Sequence, residues 1–226
     1  MAGKIPAEHG IACRLPGERM GYFGWPTVAR LDDGSLIAVS SGLRSQHICP
    51  WGKTVITISR DGGKHWSFPR TINDSPLDDR DAGVISLGAG RIIVTWFTSD
   101  TRQYFNDREV RRWLGEHEVD SWRPAIEKMT DDVVEQHLGS WVMLSSDGGS
   151  TWTVPLRVPI SAPHGPTLLR TGELLYLGKD SRQMSDGDII AAVSGDGGRT
   201  WSVRGCVRHP SAICNANCHE PHAVEL

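Results

Sequence analysis

The sequence predicts an all-β chain built as a propeller of four-stranded units and interrupted by one helical insertion. Three observations carry this. An eight-residue pattern, Ser-x-Asp-x-Gly-x-x-Trp, occurs three times, at Ser59–Trp66, Ser145–Trp152 and Ser194–Trp201. A β-rich run precedes each copy: Thr54-Val55-Ile56-Thr57-Ile58, Trp141-Val142-Met143-Leu144 and Ile189-Ile190-Ala191-Ala192-Val193. The last two copies stand about 50 residues apart, which is the length of one four-stranded blade.

The pattern has a physical reading. In every copy the Asp is followed by two glycines, as in Asp147-Gly148-Gly149. A carboxylate there bonds backbone N–H groups just ahead of it, and glycine takes the positive φ that other residues resist. The Trp brings a large apolar surface that pins the turn to the body of the fold. Each copy therefore reads as a β-hairpin corner.

The chain in order gives the rest. Residues 1–21 show no period and read as a lead-in segment, with the propeller running over 22–226. In the first unit, Trp25–Leu31 is strand one, Asp32-Asp33-Gly34 a tight turn and Ser35–Val39 strand two. Ser40–Lys53 is a loop, Thr54–Ser59 strand three and Trp66–Ile72 strand four. Asp81–Leu87 and Arg91–Phe97 open a second unit, Gly165–Leu169 and Glu173–Leu177 a third, and Glu220–Leu226 begins a fourth. The second unit is longer than the others because of residues 99–139. There Glu109–Leu114 and Pro124–Leu138 have helical spacing, with Asp120 or Ser121 as a cap and Pro124 in the first turn. They read as an inserted helical hairpin between strands two and three, with Trp113, Trp122, Ile126, Met129, Val133 and Val134 as its apolar contacts. Its role is a packed cap or a wall over a binding site. Three units and one strand do not close a ring, so the chain is expected to be part of a longer protein or to complete itself by association.

Composition narrows the function. The chain has 226 residues, 25 Gly, 13 Pro, 9 Trp and a net charge of −3. The charge leaves no nucleic-acid footprint, and no apolar run reaches membrane-spanning length. The first ten residues lack the apolar segment of a secretory signal, which together with five cysteines, an odd number, implies reduced thiols and a cytoplasmic location. The tail cluster of Cys206, His209, Cys214, Cys218, His219 and His222 matches no common zinc spacing, so no metal and no cofactor are expected.

The repeated pattern is that of the Asp-box, and on it the chain resembles the sialidase superfamily, or BNR-repeat proteins, from about Tyr22 onward. The resemblance implies a six-bladed propeller, here about three blades plus one strand. It also implies that the Asp-boxes lie away from the active face and are structural. Up-and-down connectivity agrees: the start of strand one, the loop between strands two and three, and the exit of strand four share one face, and the Asp-box turns share the other.

Aligning the starts of strand one places Trp25, Asp81, Gly165 (after His164) and Glu220 in one column. Such residues pack poorly between blades and suit a polar ligand at the axis. Sialidases usually open the first blade with Arg-Ile-Pro, whose arginine grips a substrate carboxylate; here Trp25 precedes Pro26. The loop where the family carries its acid/base Asp has none here and offers Arg44 and His47. Glu220-Pro221 is similar to the family's Glu-Pro motif, which implies that Glu220 supports a tyrosine nucleophile lying beyond Leu226. Glu220, Asp81 and Asp79 are thus the candidate catalytic residues, with Asp79 or Asp81 as the acid. Trp25, Arg44, His47, Arg80, His164 and His222 are the candidate substrate-binding residues. Asp180, Arg182, Gln183, Asp186 and Asp188 form a further upper loop that contacts ligand or is simply solvated. The expected function is a sialidase-like glycoside hydrolase that cleaves a terminal sugar from a glycan. The alternative is a non-catalytic propeller that binds carbohydrate or protein.

Overall fold

A computed structural model describes residues 8–180, 188–207 and 218–226. Among these residues the chain is mostly β, with thirteen strands in three antiparallel sheets and no closed barrel. Sheet one runs β1 (Tyr22–Arg30), β2 (Leu36–Arg44), β3 (Lys53–Ser59) and β4 (Arg70–Asn73) in spatial order. Sheet two runs β5 (Asp78–Gly88), β6 (Arg91–Ser99), β7 (Ser140–Ser145) and β8 (Leu156–Val158). In sheet three, β9 (Ile160–Ser161) and β10 (Thr167–Leu168) both pair with β11 (Leu174–Asp180), followed by β12 (Ile189–Ser194) and β13 (Ser202–Cys206).

The sheets stack face to face, and β6 shows why its sequence is almost continuously apolar. Successive side chains of a strand point to opposite faces. Ile92, Val94 and Trp96 pack with Ile37, Val39 and Ile56 of sheet one. Ile93 points the other way, into a cluster with Ile160, Leu174, Tyr176 and Ile190 of sheet three. A strand covered on both faces has no polar side, which is the exception to simple alternation.

The three Ser-x-Asp turns have one geometry. The first residue's hydroxyl donates to the Asp carboxylate at 2.9, 2.8 and 2.8 Å, and accepts the N–H of the second glycine at 2.9, 2.9 and 2.8 Å. The glycines hold φ between 70° and 91°. The turns also join neighbours: Arg70 donates to Ser150 O at 3.1 Å, and Gly149 sits against Ile37 and Ile92.

Several boundaries differ from the sequence expectation. Strand two of sheet one continues to Arg44 instead of ending at Val39, because Ser40–Gly42 stay in register with Lys53–Val55. Strand four starts at Arg70 instead of Trp66, whose indole is turned to donate to Gly63 O at 3.0 Å. Strand one of the third unit is split into β9 and β10. Glu220–Leu226 forms no strand pairing, although Thr167 Oγ1 donates to Ala223 O at 2.6 Å.

Between β6 and β7 the chain forms five short helices, not two: α1 (Arg102–Phe105), α2 (Arg108–Leu114), α3 (Glu116–Asp120), α4 (Arg123–Ile126) and α5 (Asp131–His137). Gly115, at φ 95°, divides α2 from α3. The cap of α4 is Trp122, without a side-chain bond, instead of Asp120 or Ser121. Trp122 is fully buried with Ile48, Phe105 and Val119, whereas Trp113, expected as an apolar contact, is 60% exposed. The insertion is tied to the β2–β3 loop by Ser45 Oγ donating to Glu118 Oε1 at 2.6 Å. Among the described residues no helix is long and apolar enough to cross a membrane.

Candidate functional site

The column that the sequence alignment picks out shares one backbone state. Trp25, Asp81, Gly165 and Glu220 have φ of 51°, 51°, 73° and 50°. In β1 the register slips between Gly24 and Thr27, and in β5 between Arg80 and Gly83, so these are β-bulges that re-aim a side chain. A left-handed conformation at a non-glycine residue costs roughly 1–3 kcal/mol, and such strain gathers at functional sites. Gly83 lets the β5 bulge approach the backbone before β10: a Cβ there would lie 2.6 Å from the Gly165 nitrogen. His164 is thereby held beside sheet two.

Asp81 is nine-tenths buried, and its Oδ1 has no hydrogen-bond partner among the described residues. Among the described residues the nearest cation is Arg80, whose Nε stands 3.9 Å away. Burial holds the Asp81 pKa above the ordinary carboxylate value; Arg80 and Arg44 oppose this, while Glu220 and Asp78 add to it. Glu220 is exposed, with His164 Nε2 3.9 Å from its Oε2. The His164 and His222 rings meet edge to face at 5.7 Å, and burial, with His164 beside it, lowers the His222 pKa.

A second group lies around Trp25. Its ring covers the guanidinium of Arg80 at 4.6 Å and that of Arg44 at 5.2 Å. His47 meets the Trp25 ring at 4.8 Å and the Trp113 ring at 5.3 Å. Burial, then the charges of Arg80 and Arg44, lowers the His47 pKa and favours the neutral imidazole.

Two of the candidates point inward. Arg44 is wholly buried, and its guanidinium grips Asp78 through both terminal nitrogens. Its remaining donors reach Ser41 Oγ at 2.7 Å, Gln46 O at 3.2 Å and His47 O at 2.8 Å. No donor is left for a sugar, so Arg44 shapes the β2–β3 loop from within. Asp79 is also fully buried; its carboxylate accepts from Asn73 Nδ2 at 2.8 Å, Ser75 N at 3.1 Å and Ser75 Oγ at 2.7 Å. Burial raises its pKa to about 7. The carboxylate closes the β4–β5 loop and is spent on these internal partners.

Sequence reasoning missed the partner of Arg44, since Asp78 lies far along the chain, and it missed Trp113 as an open wall. Asp188 belongs to the described residues, whereas Arg182, Gln183 and Asp186 lie outside them, as do His209 and Cys214 of the tail cluster and the side chain of Asp180. Among the described residues no group of three or more His, Cys, Asp or Glu is placed to hold a metal.

No protein-family model and no curated protein matches the sequence. Solved structures match by fold. The NanB sialidase of Streptococcus pneumoniae aligns with TM-score 0.61 and 13% identity, over 91% of this chain and 47% of that one. A protein of unknown function from Dyadobacter fermentans aligns with TM-score 0.60 and 17% identity, over 89% and 58%. The Trypanosoma rangeli sialidase in complex with 2,3-difluorosialic acid aligns with TM-score 0.55 and 17% identity, over 92% and 33%. The fold is therefore sialidase-like and fits a β-propeller. The chain spans between 33% and 58% of these proteins' lengths.

Proposed function

We propose that the protein is a sialidase-like glycoside hydrolase that removes a terminal sugar at the rim where Trp25, Asp81, His164 and Glu220 converge. The observation that carries this is the state of Asp81: a buried carboxyl with one unbonded oxygen, held on a strained bulge beside a second carboxylate. Glycoside hydrolysis needs a proton donor and a second group that delivers a nucleophile. A raised pKa keeps a carboxyl protonated nearer neutral pH, which suits the donor. Asp81 protonates the glycosidic oxygen. Glu220 takes the proton of the attacking group, the supporting role that the family resemblance implies. Asp79, the other candidate acid, is excluded from this role by its three internal hydrogen bonds.

The substrate class rests on fold likeness and on the rim itself. Trp25 and the imidazoles of His164 and His222 offer ring faces and hydrogen-bonding edges to a sugar. Trp25 stands where the resemblance implies a carboxylate-gripping arginine, so the proposed sugar is a terminal glycoside not restricted to sialic acid.

The test is turnover of a broad glycoside panel, sialosides included, by the intact protein. Asp81→Asn lowers turnover by about 100-fold or more, the usual scale of general acid catalysis, and Glu220→Gln lowers it without abolishing binding. Glycan binding with no product from any substrate defeats the hydrolase reading. That result would favour the second reading, a glycan-binding module, to which the fully occupied Arg44 already lends weight.

A further inference from the structure

The helical insertion and the β2–β3 loop enclose a cavity of about 720 Å3 beside the rim. This is within the range of ligand pockets, roughly 300–1,000 Å3. We infer that this cavity is a second sugar subsite, which takes the part of a glycan beyond the terminal residue. The inference rests on the glycan reading above and specifies where the rest of the chain goes.

Three features point to a hydroxyl-rich occupant. The first is Arg80, which lines the cavity floor with its side chain 13% exposed. Its closest carboxylates stand at 3.8 and 3.9 Å, beyond hydrogen-bond distance, and its side chain donates no hydrogen bond among the described residues. Guanidinium donors so enclosed call for acceptors, and ligand hydroxyls or ring oxygens supply them. The second feature is the pair Gln103 and Tyr104 on α1, which also line the cavity and whose side-chain polar groups make no hydrogen bond among the described residues. The third is Trp113 of α2, 60% exposed although it borders the cavity. An exposed indole bordering the same cavity as unpaired donors is a surface for a sugar ring.

Continuity with the rim fixes the direction. Arg80 precedes Asp81 in β5 and lies under the Trp25 ring, so the cavity begins one residue from the proposed acid. A glycan whose terminal bond is at Asp81 therefore runs toward α1 and α2. Asp100 also lines the cavity, but its carboxylate is engaged by Arg102 at 2.8 and 3.0 Å. It adds no free negative charge to repel an acidic sugar.

The experiment uses the intact protein carrying Asp81→Asn, so that substrate is consumed only slowly. Sialyllactose and maltotriose serve as acidic and neutral probes, chosen after a glycan array has ranked related oligosaccharides. Saturation-transfer difference NMR then reads which rings of the best-bound glycan touch the protein. The expected result is saturation on the rings beyond the terminal one, and about tenfold weaker binding in Trp113→Ala, the loss of one aromatic anchor. Gln103→Ala weakens binding in the same sense. Both residues are exposed, so neither substitution threatens folding. Saturation confined to the terminal ring, with affinity unchanged in both variants, overturns the subsite and leaves the glycan reading standing. No binding anywhere on the array overturns both.

Discussion

The two faces of the sheets repeat in different ways. On one face the Ser-x-Asp turns repeat in side chains and backbone together: Ser59, Ser145 and Ser194 hold the same two hydrogen bonds, with distances agreeing within 0.1 Å. On the other face only the backbone repeats. Trp25, Asp81, Gly165 and Glu220 share a left-handed backbone, set in a β-bulge at Trp25 and Asp81, while their side chains differ. Where every side chain serves the local turn, the same residues recur. Where the left-handed backbone is kept and the side chain is free to differ, a different group stands at each position.

Changes on the two faces should therefore fail differently. The largest effect is expected just beneath the rim. Arg44→Ala leaves Asp78 buried without its partner, which costs about 3–5 kcal/mol, measured by urea unfolding. Gly83→Ala comes next. A Cβ there would press on Gly165 backbone at 2.6 Å and Thr95 Oγ1 at 2.7 Å, an overpacking cost of about 1–3 kcal/mol. On the turn face, Gly148→Ala meets no atom within 4 Å but must keep φ 70°, a strain of roughly 1–2 kcal/mol. A turn-face loss larger than that of Gly83→Ala would break the comparison.

The turn carboxylates and the buried Asp79 also differ in sign with pH. Hydrogen bonds within the turns lower the pKa of Asp147 and Asp196 to about 2. Their contribution is complete above the unfolded value of 3.8 and is lost as pH falls toward 2. Asp79, raised by burial to about 7, works the other way: stability falls as pH rises from 3.8 through 7. Asp79→Asn should flatten the upper limb of a stability–pH curve, and Asp147→Asn the acid limb. Exchange of these two effects would contradict the assignment.

This contrast also explains what the sequence could show. The turns were legible because their bonds run between residues at most four apart, so composition and geometry coincide. The column of strand starts was legible from alignment of the units, helped by the prolines after Trp25, Gly165 and Glu220. The enclosure of Arg44 was not. Its partner Asp78 is 34 positions away and is reached only when sheets one and two stack. Asp79 and Asp81 looked equivalent in sequence, and the bulge at Asp81 separates them into a loop tie and a rim carboxyl. The division of the insertion into five helices depended on Gly115 and on the packing of Trp122, neither of which helical spacing reveals.

The most direct measurement is a crystal structure of the intact Asp81→Asn protein soaked with the glycan that binds best. Sugar density at the rim, its terminal ring between residues 81 and 220 and Trp25, is the expected result. Sugar on the Ser-x-Asp face, with the rim empty, would contradict the assignment of function to the bulges.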